Sequence, residues 1–258
     1  MPPMESLSFS ALLVLWLAGL LAGFVDSIAG GGGIISLPAL LATGMPPHLA
    51  LGTNKLQGTF GSMTAAVNYT RKGLVNLREI PSGVVFTALG ALAGTVSVQL
   101  ITADFLRHII LILLVGVFLY TFFTPDLGRL DRRPFITAPV FFGCAGLLLG
   151  FYDGFFGPGT GSFWTIALVM LLGLNLRKAT AHTKIFNFTS NIVALGAFFA
   201  GHNVVISAGL LMGLAQMLGA FLGSRLVIRR GTGFVRIFFL VVVAATIVKL
   251  AYTTYLAR

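Results

Sequence analysis

Apolar runs long enough to cross a bilayer recur along almost the whole chain, and nothing else limits its fold as severely. A spanning helix needs about 20 apolar residues, within a range of about 17–25. Runs of that size cover about 7–28, 47–70, 80–101, 105–123, 135–152, 178–200, 204–228 and 233–257. Charged residues make up only 9% of the chain, against roughly 25% in soluble domains. A soluble surface cannot be built from so few charges. The apolar excess also excludes a disordered chain, and the lack of a solvated polar face excludes a nucleic-acid partner. The expected class is an all-α, polytopic integral membrane protein lying almost wholly in the bilayer.

The net charge of +10 then reports loop topology, because cytoplasmic loops collect Lys and Arg. No Lys or Arg precedes Lys55, so the first run lacks a basic leader and reads as a retained span. The single cysteine, Cys144, lies in an apolar run and is expected as a small buried core residue.

Two shorter apolar pieces, about 34–43 and 163–174, each follow a glycine-rich break. They suit half-helices of discontinuous spans or re-entrant segments. The breaks belong to an internal repeat. Gly23-Phe24-Val25-Asp26-Ser27-Ile28-Ala29-Gly30-Gly31-Gly32-Gly33 is matched by Gly150-Phe151-Tyr152-Asp153-Gly154-Phe155-Phe156-Gly157-Pro158-Gly159-Thr160-Gly161. Four identities (Gly23/Gly150, Asp26/Asp153, Gly30/Gly157 and Gly32/Gly159) share an offset of 127 residues. Ala50-Leu51-Gly52-Thr53-Asn54-Lys55 follows the first break, and Ala179-Thr180-Ala181-His182-Thr183-Lys184 follows the second at an offset of 129. The expected organisation is a first repeat over 1–124, a cytoplasmic linker over 125–134 and a second repeat over 135–258.

Counting Lys and Arg orients the repeats. If the short pieces cross, twelve loop and terminal basic residues fall inside and two, Arg107 and Arg258, outside. If they do not cross, the same residues divide seven to seven. The first count obeys the inner-side excess of positive charge. It gives about ten membrane segments, five per repeat, with both termini periplasmic. An odd number of passes inverts the second repeat relative to the first, a common plan of secondary transporters.

Lys55, Lys184, Asp26 and Asp153 are the charges that the loops do not absorb, since Lys249 is read as snorkelling from its span to the outer surface. A charge at the bilayer centre costs at least about 2.5–3.5 kcal/mol on insertion scales. Two per repeat, at matching positions, ask for a common role. Lys184, Asn187 and Asn191 share one helical face by their i, i+3, i+7 spacing, and Lys55, Gly58 and Ser62 share the corresponding one. Asn54, Gln57 and Thr183 add amide and hydroxyl groups. The breaks at Gly30, Gly31, Gly32 and Gly33 and at Gly157, Gly159 and Gly161 free backbone N–H groups and expose helix N-termini, which attract anions. Together these residues form a candidate site for a small anion at mid-membrane. Asp26 and Asp153 either hold the unwound chain by accepting its N–H bonds, the preferred role, or take up a coupling proton. A purely structural reading pairs Asp26 with Lys55 and Asp153 with Lys184 as buried, self-neutralising ion pairs.

The glycine run has no Gly-Lys-Ser/Thr sequel, no GxGxxG follows a soluble strand, and no His/Cys cluster has metal spacing. No enzyme and no cofactor is expected, and transport by this chain alone runs downhill or on an ion gradient.

The run from Gly23 to Gly33, Pro38, and Ala50 to Lys55 resemble the TauE/SafE, or sulfite exporter, family of membrane transporters. The second half, with Gly157-Pro158-Gly159 and Lys184, is similar to that family's second half. It departs from the first by Ala181-His182-Thr183 in place of Gly52-Thr53-Asn54, so the site is pseudo-symmetric. The resemblance implies movement of small sulfur-containing or organic anions, such as sulfite, sulfonates and sulfinates, across the bacterial inner membrane, and the inverted repeats suit alternating access. The expected partners are that anion and the lipid bilayer. A proton or sodium ion is the candidate coupling ion, and a homo-oligomer stays open. An anion channel with the same site, and a lipid-modifying membrane enzyme, are the alternatives.

Overall fold

The computed structural model describes residues 9–102, 112 and 133–230. The spans expected at about 105–123 and 233–257 lie outside the described residues. So do Arg107, Lys249, Arg258 and most of the 125–134 linker. Eight helices are described: α1 (Phe9–Ala29), α2 (Gly32–Leu41), α3 (Pro47–Arg71), α4 (Pro81–Gln99), α5 (Ala138–Phe155), α6 (Thr160–Leu171), α7 (Leu176–Ala200) and α8 (Ile206–Arg230). The protein is an all-helical, multi-pass membrane protein.

Among the described residues, four helices are long and apolar enough to cross a bilayer, α1, α4, α5 and α8. They carry the outward apolar faces, such as Leu13, Val14 and Leu17 on α1 and Leu214, Leu218 and Leu222 on α8. Cys144 lies exposed on the outer surface of α5 rather than buried, because the buried face of α5 is taken by its glycines and by Phe141 and Phe142. Helices α3 and α7, of 25 residues each, are too polar to meet the same criterion and are shielded by the others. Helices α2 and α6 have 10 and 12 residues. At about 1.5 Å per residue they span roughly half of a hydrocarbon core about 30 Å thick.

Small residues set how the helices pair. Gly19 and Gly23 of α1 face Met212 and Gln216 of α8, while Gly219 and Gly223 of α8 face Leu20 and Phe24 of α1. The same exchange joins α4 to α5: Gly90 and Gly94 lie on Leu147 and Phe151, and Gly150 and Gly154 on Thr87 and Ala91. A Cβ at most of these positions would collide with a backbone carbonyl of the facing helix. Glycines four residues apart thus let two backbones touch, which drives helix association where lipid offers no hydrophobic gain.

The packing sorts the helices into two sets, α1, α2, α3 and α8 in one and α4, α5, α6 and α7 in the other. Each contains three helices from one half of the sequence and one from the other half. The sets meet chiefly where α3 runs antiparallel past α7, Gly52 lying on Phe198 and Asn203 and Gly58 on Asn191. Apolar clusters close the bundle on both sides of this crossing. One gathers Leu15, Ile34, Leu51, Phe156, Phe198 and Met212. The other gathers Tyr69, Phe141, Phe142, Trp164, Leu168 and Phe186. The polar stretches of α3 and α7 lie between them.

Candidate functional site

The chain unwinds between α1 and α2 and again between α5 and α6. Gly30 (φ 73°) and Gly31 (φ 126°) make the first break, and Gly157 (φ 95°) and Gly159 (φ 84°) make the second. These left-handed conformations disfavour any residue with a Cβ. The two breaks touch. Gly30 lies directly on Gly161, so that a Cβ on either would overlap the other's backbone, and the Ser162 hydroxyl donates to the Gly30 carbonyl at 3.1 Å.

Asp26 and Asp153 precede these breaks but are held differently. Asp26 Oδ1 accepts the N–H groups of Gly31 (3.0 Å) and Gly32 (3.2 Å), which caps the start of α2. Its Oδ2 meets the Lys184 ammonium at 3.2 Å. Asp153 Oδ1 meets the Lys55 ammonium at 2.7 Å, and Oδ2 accepts a short hydrogen bond from the Ser190 hydroxyl. Lys55 also donates to the Asp153 carbonyl. Gly157 leaves the room this ammonium needs, since a Cβ there would stand 2.8 Å from Nζ. Lys55 is 1% and Lys184 0% exposed, so both ion pairs are buried.

The pairing differs from the one the sequence suggests. Lys55 binds the aspartate of the other half, not Asp26, and Lys184 binds Asp26, not Asp153. The cause is the crossing of α3 and α7 at the two touching breaks, which brings each lysine to the break that precedes the opposite helix. Both pairs therefore bridge the two packed sets.

Between the pairs lies a cavity of about 30 Å³, room for about two water-sized groups. Gly31, Gly33, Asn54, Lys55, Gln57, Gly157, Gly161, Asn187 and Asn191 line it, with Asp26 and Asp153. Gly58, Thr160 and Gln216 complete the lining. Five residues of the expected set stand behind this wall. Gly30 supports Gly161, Gly32 packs on Ala22 and Asp26, and Gly159 precedes the first turn of α6. The Thr183 hydroxyl meets that of Thr165 at 3.1 Å, and Lys184 is engaged by Asp26. The Ser36 hydroxyl donates to Asn54 Oδ1 at 2.6 Å and Gln57 Nε2 to the same oxygen at 2.7 Å, which fixes both amides on the wall.

Gln216 and Ser190 were not legible as site residues. Gln216 is a lone amide in an apolar run, and that polarity was its only signal. Serine is common in membrane helices and carries none.

The family model described as Sulfite exporter TauE/SafE matches residues 15–250. The chain is 44% identical over 247 residues to the probable membrane transporter protein ORF9 of Sinorhizobium sp, covering 96% of this chain and 95% of that one. It is 44% identical over 242 residues to the probable membrane transporter protein YfcA of Escherichia coli K12, covering 94% and 90%. A shorter stretch of 105 residues, 41% of this chain and 24% of the other, is 31% identical to Sulfite exporter TauE/SafE family protein 6 of Arabidopsis thaliana.

Proposed function

Because this chain belongs to the sulfite exporter TauE/SafE family and is a membrane transporter, we propose that its cargo is a small sulfur-containing anion of the sulfite, sulfonate or sulfinate type. The observation that carries this reading is the pair of buried ion pairs crossing between the two glycine breaks around one cavity. A pair kept only for stability is weakly motivated, because desolvation offsets most of its attraction. A site that must exchange a carboxylate for a bound anion gives the Lys55–Asp153 pair a purpose. The anion would take the Lys55 ammonium and the Gly161 N–H in the first turn of α6, where the helix dipole favours negative charge. The α2 N-terminus is already occupied by Asp26. The cavity admits only about two water-sized groups, so the walls must part for sulfite and further for larger sulfonates.

The halves 1–124 and 135–258 act as inverted repeats of about ten segments in the bacterial inner membrane, with periplasmic termini. The antiparallel run of α3 and α7, which are equivalent in the two halves, supports that reading, as does the exchange of the α1–α8 and α4–α5 seams. The cavity opens alternately to either side.

Purified protein in proteoliposomes tests the proposal. Sulfite uptake should saturate and show counter-transport. The charge-neutral variant Lys55→Met/Asp153→Asn should lose it, while Lys72→Ala, at the exposed end of α3, should keep it. Wild-type transport by the double variant would remove the site assignment. Large unitary currents without counter-transport would make the protein a channel.

A further inference from the structure

Two independent features of the central cavity remain after an anion is assigned to it. The first is its charge. Lys55 and Lys184 are each neutralised by an aspartate, so the four buried charges cancel. An anion entering alone would bring an uncompensated charge into a site that water barely reaches. The second is a set of unpartnered oxygens. Gln57 Oε1, Asn187 Oδ1 and Gln216 Oε1 are buried without a hydrogen-bond donor. The three residues are at most 5% exposed, come from α3, α7 and α8, and all line the cavity. Buried carbonyl oxygens in native structures ordinarily have a partner.

We propose that the cavity also binds a sodium ion, held by the amide oxygens of Gln57, Asn187 and Gln216 with the Asp153 carboxylate, and that this ion enters together with the anion. The inference rests on the anion-transport reading above. Oxygen ligands of this kind suit hard cations. Balance with a monoanion requires one positive charge. A proton would supply that charge on a carboxylate but would leave the three amide oxygens as they are. Asp153 is the carboxylate to share, because Lys55, its partner from α3, is the ammonium that the anion draws on. Ser190 of α7 and Tyr152 of its own helix are the other groups near it, and neither α4 nor α6 carries a charged side chain. Both oxygens of each aspartate are engaged, but Asp26 is also held by two backbone N–H groups, whereas Asp153 Oδ1 is released when Lys55 turns to the anion.

The experiment is sulfite binding to the purified full chain in sodium, potassium and choline chloride at equal ionic strength. Sodium should lower the sulfite Kd roughly ten-fold relative to choline, and saturating sulfite must then tighten sodium binding by the same factor. Potassium should resemble choline. Gln216→Met should lose the sodium effect, and Gln216→Glu, which retains an oxygen there, should keep it. Gln57→Met is the second removal if the first fails to fold. Equal sulfite affinity in sodium and choline would overturn the cation site and leave the anion reading standing. Dependence on pH but not on sodium would overturn it in favour of a proton. An undiminished sodium effect in the folded methionine variants would move the ion elsewhere and overturn the assignment. Sodium stabilisation of the wild type, lost in Gln216→Met, in a protein that binds no sulfite in any buffer would support the cation site while removing the anion reading.

Discussion

At the scale of single residues, the decisive fact is which carboxylate each lysine holds. Lys55 and Asp153 are separated by 98 residues and meet at 2.7 Å in a buried setting. Removing one partner of such a pair leaves a buried charge unmatched, at a cost of about 3–5 kcal/mol. Lys55→Met should therefore destabilise the protein by about that much, since Ser190 alone cannot neutralise Asp153. Lys55→Met/Asp153→Asn should recover most of the loss. Lys55→Met/Asp26→Asn should be worse than the single variant, because it strands Lys184 as well. Thermal unfolding in detergent, treated as a double-mutant cycle, measures both couplings. Coupling of Lys55 to Asp26 instead would contradict the observed pairing.

At the scale of elements, glycine serves two jobs, and some glycines serve neither. Gly30 and Gly157 adopt left-handed backbone at the breaks, and their position next to conspicuous intramembrane charges made them legible. Gly150 and Gly154 serve the α4–α5 seam, and only the identity of the facing helix reveals that. Gly143 meets nothing within 4 Å and does neither. Gly143→Ala should thus be neutral or stabilising by up to about 0.5–1 kcal/mol, the usual gain in a helix interior. Gly154→Ala, on the same helix, should lower the unfolding temperature markedly, because the added methyl runs into the Ala91 carbonyl. Equal midpoints for the two variants would mean the seam is looser than it looks. The same distinction explains what else could be read in advance. Break positions, the polar faces of α3 and α7, and the four buried charges follow from local pattern and hydropathy. The partners of those charges, the role of Gln216 and the outward face of Cys144 depend on how helices distant in sequence pack, and no spacing rule encodes that.

At the scale of the whole molecule, the packing bears on what moves during transport. Helices α4 and α8 each pack chiefly with two helices of the opposite half, α4 with α5 and α7 and α8 with α1 and α3. Under the proposed alternating access, the bodies expected to move are thus the two packed sets rather than the two halves of the sequence. The α3–α7 crossing, both ion pairs and the cavity all lie between these bodies. Contacts inside one body should tolerate a covalent tie, and contacts between bodies should not. Asn68 of α3 donates to Ser224 of α8 at 2.9 Å within one set, whereas Asn191 of α7 donates to Ser62 of α3 at 3.4 Å across the two. In a Cys144→Ser background, oxidising Asn68→Cys/Ser224→Cys should leave sulfite flux near the uncrosslinked level. Oxidising Ser62→Cys/Asn191→Cys should stop flux, and reduction should restore it. Arrest by the first crosslink, with free flux under the second, would mean that the bodies divide along the sequence halves and that α4 and α8 slide against the helices they now touch.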